Sequence, residues 1–179
     1  VVVWFDVRDM VVIPLILGAL AGRAVIVGER KLIGDGAKFA AAIADKKNAA
    51  YVAYIKGAEV RNGLPAGLML FIAWKESRFN PLAKNPSGAS GMFQIMPDAH
   101  PEIKASVFDW RKSADYAAVY MKKLFKQFGR WEPAVKAYNC GPGNMAKLIA
   151  KTGGKACNSA ETLDYWDSVS KNVQGLIAR

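Results

Sequence analysis

Hydrophobic and polar positions divide the chain into an early apolar run and a longer stretch of helical periodicity. Residues 10–28 are almost wholly apolar, with Arg23 as the single charge. The run is close to the lower length limit for a bilayer span. Its flanks fit neither common membrane pattern. A secretory leader starts with basic residues, whereas Asp6, Arg8 and Asp9 precede this run. Arg30, Lys31 and Lys38 follow it, an asymmetry that would leave the C-terminal part on the cytoplasmic side. The expectation is a helix that contacts or enters a membrane, or one buried in a larger assembly. Gly34-Asp35-Gly36 is a plausible break after it. The chain then divides into a hydrophobic N-terminal segment, residues 1–36, and a domain over residues 37–179.

Within the domain, Phe39, Ile43, Ala50, Tyr51, Tyr54 and Ile55 recur at helical spacing, which predicts one amphipathic helix or two short ones reaching about Arg61. Asn62-Gly63-Leu64-Pro65 is a turn, and Pro65 suits a first helical position. From Ala66 to about Ser77 the chain is apolar on every side, so this helix is expected to be buried. Residues 80–101, rich in Pro, Gly, Asn and Ser, predict a loop around the apolar knot Met92-Phe93-Gln94-Ile95-Met96. Ser113 is placed to cap a helix carrying Ala117, Tyr120, Met121, Leu124 and Phe128, which Gly129 stops. Pro133 opens a further helix to Tyr138-Asn139, and a short one follows Gly141-Pro142-Gly143. Leu163, Trp166, Val169, Val173 and Ile177 line a final helix. With no alternating strand pattern, the fold class is mainly α.

Composition narrows the function. A length of 179 residues suits one domain with an extra segment, and 52% hydrophobic with 22% charged residues excludes disorder, collagen and a polytopic membrane protein. One histidine, His100, and two cysteines, Cys140 and Cys157, supply too few ligands for a conventional zinc site. The two cysteines either pair in an oxidising compartment or serve as small apolar residues. His100, beside Pro101, reads as a surface loop residue. Basic and acidic groups balance over residues 1–36, so the whole net charge of +10 lies in residues 37–179. A basic domain is drawn to polyanions: nucleic acid, anionic lipid or an acidic cell-wall polymer. No recognised nucleic-acid motif accompanies the charge, so no specific nucleic-acid partner is expected.

Glu76 is the candidate for chemistry. It ends the most hydrophobic helix of the domain, where apolar neighbours favour a carboxyl that keeps its proton to higher pH than a free glutamate. Such an acid can protonate the leaving oxygen of a glycosidic bond. The plainer reading is a helix-end glutamate paired with Lys75 or Arg78. Asp98, Glu102 and Asp109 are the candidates for a second carboxylate, and nothing in the sequence places them near Glu76. Gly141-Pro142-Gly143-Asn144-Met145-Ala146 superficially fits a dinucleotide fingerprint, but it follows a helix-like segment rather than a strand.

Four blocks alter the weight on Glu76. They are Glu76-Ser77-Arg78-Phe79-Asn80-Pro81, Gly88-Ala89-Ser90-Gly91-Met92-Phe93-Gln94, Ala137-Tyr138-Asn139-Cys140-Gly141-Pro142-Gly143 and Glu161-Thr162-Leu163-Asp164-Tyr165. In this order and spacing they resemble the soluble lytic transglycosylases, peptidoglycan-cleaving enzymes whose lysozyme-like fold is related to goose-type lysozyme. The likeness covers about residues 48–175. It implies that Glu76 is the single catalytic acid/base. It further implies that Gly91, Phe93 and Gln94 shape the glycan groove, with Gln94 bonding the sugar and Phe93 packing on it. Tyr138 and Asn139 would line the groove beside the scissile bond, and Tyr165 would lie close to Glu76. Taken without the resemblance, Met92, Phe93 and Ile95 also read as plain core residues, and Tyr138 and Tyr165 as core aromatics with satisfied hydroxyls. Met92-Phe93 stands where the family usually has Leu-Met.

The resemblance implies cleavage between N-acetylmuramic acid and N-acetylglucosamine, a 1,6-anhydro product, and no metal or organic cofactor. The alternatives are a hydrolytic lysozyme on the same fold and a wall-docking protein with little turnover. Related domains open the wall locally for secretion and conjugation machines, or travel in phage virions. The awkward charges around residues 10–28 favour the virion-associated case. The expected place of action is the cell envelope or periplasm, with residues 10–28 contacting a membrane or assembly.

Overall fold

The structure, a computed structural model, describes residues 35–152 and 160–173. The apolar run 10–28 and Cys157 lie outside the described residues, and with them the expected N-terminal helix and the cysteine pairing. Among the described residues there are seven α-helices: α1 (Asp35–Ala44), α2 (Ala49–Asn62), α3 (Leu68–Ser77), α4 (Trp110–Phe128), α5 (Trp131–Cys140), α6 (Pro142–Thr152) and α7 (Ala160–Asn172). No helix among the described residues is long and apolar enough to cross a membrane.

The periodic stretch from Phe39 resolves into two helices joined by a short 3₁₀ turn at Lys46–Asn48. Asp35 and Gly36, placed in the N-terminal segment by sequence, open α1. Helix α3 runs through the middle of the domain. Every residue from Leu68 to Trp74 is at most 2% exposed, which is what an all-round apolar helix requires. Phe39 of α1 packs edge-on to Phe71, with ring centroids 5.0 Å apart. Helix α4 packs on α2 and α5, and α5 packs in turn on α6 and α7.

A buried helix needs partners for its terminal amides. The N-terminus of α3 has no capping side chain of its own, because Gly67 stands at that position. Glu59 of α2, only 2% exposed, supplies the missing acceptors. Its Oε2 accepts from the Gly67 amide at 2.8 Å, and its Oε1 accepts from Met69 at 2.8 Å and Leu70 at 3.1 Å. The remaining amide, that of Leu68, donates to the Pro65 carbonyl at 3.1 Å. Pro65 therefore sits in the turn before α3 rather than at its first position.

The expected cap of α4 is also corrected. Asp109 caps it, accepting from the amides of Arg111 at 3.1 Å and Lys112 at 3.2 Å. Ser113 lies inside the helix, fully buried, and its hydroxyl donates to the Val107 carbonyl at 2.6 Å. Asp109 and Ser113 lie one turn apart, and the helix begins a turn before the position that Ser113 suggests.

The loop after α3 is compact. Isolated antiparallel bridges join Lys84 to Ser90 and Ser90 to Ile95, and they make no sheet. Its entry is tight: Arg78 and Phe79 both adopt left-handed backbone, with φ of 56° and 63°. The Arg78 guanidinium lies 3.7 Å from the Trp74 ring centroid and also donates to the Trp74 carbonyl at 3.2 Å.

Candidate active site

Glu76 lies in the last turn of α3, where the buried run gives way to Lys75-Glu76-Ser77. Its backbone is anchored in the core while its side chain is half-buried. The phenol of Tyr165, from α7, donates to Glu76 Oε1 at 2.8 Å. The phenol of Tyr138, from α5, donates to the Phe93 carbonyl at 3.0 Å. Both phenols are held well above the ordinary tyrosine range, first by burial and next by the charge of Glu76. They stay neutral donors at any ordinary pH. Helices α3, α5 and α7 thus bring one carboxyl and two tyrosines together from three distant stretches of chain.

The compact loop forms the adjoining wall. Gly91 has φ of 75°, and a Cβ there would lie 2.3 Å from the Val107 carbonyl oxygen. Only glycine fits both the conformation and the space. Gln94, at φ of 47°, is a rare non-glycine residue in left-handed backbone. Its amide donates to the Gly91 carbonyl at 2.9 Å. Asn139 Oδ1 accepts from Thr162 at 2.9 Å and links α5 to α7. The ring of Phe93 is fully buried. In this structure it supports the wall from beneath, through the carbonyl that holds Tyr138, and offers no face for a sugar to pack on.

Beyond Tyr138 the wall is aromatic. A small open cavity of about 50 Å³ is lined by Gln94, Met96, His100, Tyr116, Tyr120 and Tyr138, among others. The Tyr120 ring lies 5.9 Å from Tyr138, and Tyr116 stacks parallel to Tyr120 at 6.3 Å. His100 lies in the loop, as expected, but is partly buried: its Nδ1 lies 2.7 Å from the Tyr116 oxygen and its ring meets Tyr120 edge-on at 4.7 Å. Tyr116 donates its one proton to Glu102, so Nδ1 of His100 must be the donor to Tyr116. Burial holds His100 below the ordinary histidine range, and the Tyr116 bond holds Glu102 below the ordinary carboxylate range.

The three candidate second carboxylates are engaged elsewhere: Asp98 pairs with Lys104, Glu102 accepts from Tyr116, and Asp109 caps α4. Of the Gly141–Ala146 stretch, Gly141 joins α5 to α6 and the rest forms the first turns of α6, so a helix and not a strand precedes it.

The profile of the transglycosylase SLT domain family matches residues 53–160, more than half of the chain. The chain belongs to the SLT family. The soluble lytic murein transglycosylase of Salmonella typhimurium is 29% identical to this SLT domain over 120 residues, covering 60% of this chain and 18% of that protein. The membrane-bound lytic murein transglycosylase C of Edwardsiella ictaluri is 28% identical over 134 residues, covering 64% of this chain and 37% of that protein. Among solved structures, an inactive glutamate-to-glutamine mutant of the lytic transglycosylase Slt from Pseudomonas aeruginosa aligns with a TM-score of 0.51 at 23% identity, over 65% of this chain and 22% of that one. That likeness is one of fold. The chain therefore spans under two fifths of the length of these relatives.

The SLT profile stops at residue 160, so Tyr165 reaches Glu76 from beyond the matched stretch, on the next turn of α7. Sequence reasoning missed Glu59 and the His100–Tyr116–Glu102 chain. A signal for Glu59 was present: an acidic residue four positions after Ile55, on the buried face of α2, eight residues ahead of a helix with no cap. No local signal joins His100, Glu102 and Tyr116, because the pairing depends on where the loop after α3 meets α4.

Proposed function

We propose that this SLT domain is a peptidoglycan lytic transglycosylase that cuts the bond between N-acetylmuramic acid and N-acetylglucosamine and closes a 1,6-anhydro ring. The observation that carries the reading is the Tyr165–Glu76 bond at the exposed end of a buried helix. Tyr165 donates to Oε1 and orients the carboxyl, and the reading places the acid proton of Glu76 on Oε2. Oε2–H protonates the bridging glycosidic oxygen, and the bond from that oxygen to C1 of the muramic sugar breaks. The sugar's own 2-acetamido oxygen stabilises the developing cation at C1. The C6 hydroxyl then attacks C1, and its proton returns to Oε2 of Glu76. No water is consumed, and the acid is regenerated.

Three features support the intramolecular route. One carboxyl is set apart by tyrosines, whereas ordinary glycosidases use two carboxylates. Asp98, Glu102 and Asp109 already have other partners. The relatives are named as lytic transglycosylases. On this reading Gln94, Tyr138 and Asn139 meet the glycan, and Gly91 and Phe93 hold the wall on which it rests.

The enzyme acts at the cell envelope, where its basic surface favours an acidic wall polymer. Residues 10–28 tether it to a membrane or to an assembly such as a phage virion or secretion machine. Purified peptidoglycan digested with the full chain is expected to yield anhydro ends, read by mass spectrometry, and Glu76→Gln is expected to abolish them. Products heavier by one water would establish a hydrolytic lysozyme. Undiminished clearing by Glu76→Gln would remove Glu76 from the chemistry, and no turnover in the folded wild type would leave a wall-docking role.

A further inference from the structure

A second polar contact between α3 and α7 lies beside the Glu76–Tyr165 bond. Lys75, adjacent to Glu76 on α3, donates from Nζ to Asp35 Oδ2 at 3.0 Å and to Ser168 Oγ at 3.3 Å. Ser168 itself donates to the same Asp35 oxygen at 3.0 Å. The three side chains close a triangle with one corner on each of α1, α3 and α7. We propose that Lys75, Asp35 and Ser168 are positioning residues that set the register of α7 on α3 and so hold the Tyr165 hydroxyl on Glu76.

The argument starts from spacing. Ser168 follows Tyr165 by three residues on a continuous helix, so the two side chains share a face of α7. Lys75 and Glu76 are consecutive on α3, and they diverge by about 100° around its axis. Two polar contacts therefore join the same two helices, one turn apart on α7. The buried apolar residues of α7, Val169 and Val173, contribute packing that is non-directional and does not by itself fix register. Hydrogen bonds lose strength steeply with angle and distance, so they define register.

The charges are placed for this task. The Lys75 and Asp35 side chains are 27% and 34% exposed, where an ion pair contributes little to net stability. The hydrogen bond from Lys75 and then that from Ser168 hold Asp35 below the ordinary carboxylate range despite the opposing effect of burial, so Asp35 stays charged at neutral pH. All three residues lie outside the Glu76 contact itself. Asp35 and Ser168 also lie outside the SLT profile at residues 53–160, so the triangle joins the matched core to both flanking helices.

The inference rests on Glu76 as the acid, and the test separates the two. Ser168→Ala, Ser168→Thr and Lys75→Met are made in the wild type and in Tyr165→Phe. Anhydro-muropeptide release by the full chain is then measured, with circular-dichroism melting as the fold control. Displacing a reacting group by about 1 Å costs up to about 100-fold in rate. Ser168→Ala is expected to lower kcat about three- to tenfold with KM within about twofold, and Ser168→Thr, which keeps the hydroxyl, to restore it. In the Tyr165→Phe background, Ser168→Ala is expected to cost less than about twofold, because the bond that it positions is already gone. An equal loss in both backgrounds, or no loss in the first, overturns the clamp while an inactive Glu76→Gln control leaves the acid in place. Turnover surviving in Glu76→Gln overturns the acid assignment, and the clamp with it.

Discussion

Replacing Glu59 with glutamine is expected to weaken the whole domain while leaving the turnover of folded molecules intact. Glu59 Oε1 accepts from Met69 and Leu70, and Oε2 accepts from Gly67. In Glu59→Gln the amide oxygen keeps the first pair, and an NH₂ group replaces Oε2. That donor then faces the Gly67 donor in a site only 2% exposed. One buried amide left unsatisfied costs about 1–3 kcal/mol. Losing the negative charge at the α3 N-terminus adds about 0.3–1 kcal/mol. Relief of the carboxylate's desolvation, which outweighs the three amide bonds, offsets most of this, and the two facing donors leave a net loss of about 1 kcal/mol at neutral pH. For a chain of this size that lowers Tm by about 2–4 °C.

The pH dependence gives a sharper test. Burial raises the Glu59 carboxyl above the ordinary range, outweighing the three amide bonds that act to lower it. The folded state thus binds this proton more tightly than the unfolded state. The contribution of Glu59 is fully present below the unfolded pKa and is lost as pH rises through the folded one. Acidification from pH 7 to about 4.5 therefore widens the stability gap between wild type and Glu59→Gln, since every other group titrates in both. Urea unfolding at several pH values measures the gap. A gap that stays constant or narrows on acidification would refute the desolvation argument. Glu59 and Glu76 lie near opposite ends of α3, about 12 Å apart along its axis, so kcat per folded molecule is expected to be unchanged.

Gly91→Ala forces a Cβ against the Val107 carbonyl at a positive φ, and a loss above about 2 kcal/mol is expected in chemical unfolding, with the groove wall displaced. Arg78 holds left-handed backbone with a side chain that Trp74 secures. Arg78→Ala loses the guanidinium contacts and keeps the strain, whereas Arg78→Gly loses both. Arg78→Gly is therefore expected to be more stable than Arg78→Ala by about 1 kcal/mol, and equal stabilities would show that the backbone there is unstrained.

The sequence carried some of this structure and concealed the rest for identifiable reasons. Helix α3 was legible because a run without a polar face can sit only inside a protein. Glu76 stood out because that run ends on a carboxyl, and the four blocks supplied most of the weight behind it. The extra turn of α4 was hidden because Asp109 and Ser113 are both good caps, and only the bond from Ser113 to Val107 shows which one faces inward. Tyr165 came from block resemblance rather than periodicity, since 89 residues separate it from Glu76. Phe93 matched its block, but its ring lies buried, the outcome of the plainer core reading, because packing beneath the loop and not the motif decides which way the ring turns. His100 and the Lys75 triangle needed the assembled fold, because each joins segments with no local reason to meet, whereas the place of Glu59 on the buried face of α2 was a signal that went unread.

A helix with almost no solvent contact constrains how this protein fails. The amides of Leu70 to Trp74 have no path to exchange with water short of opening the core, so they should exchange last. Glu76, the proposed acid, is carried on that same element, so its placement depends on the core staying closed. Heating is then expected to extinguish catalysis and melt the domain in a single event.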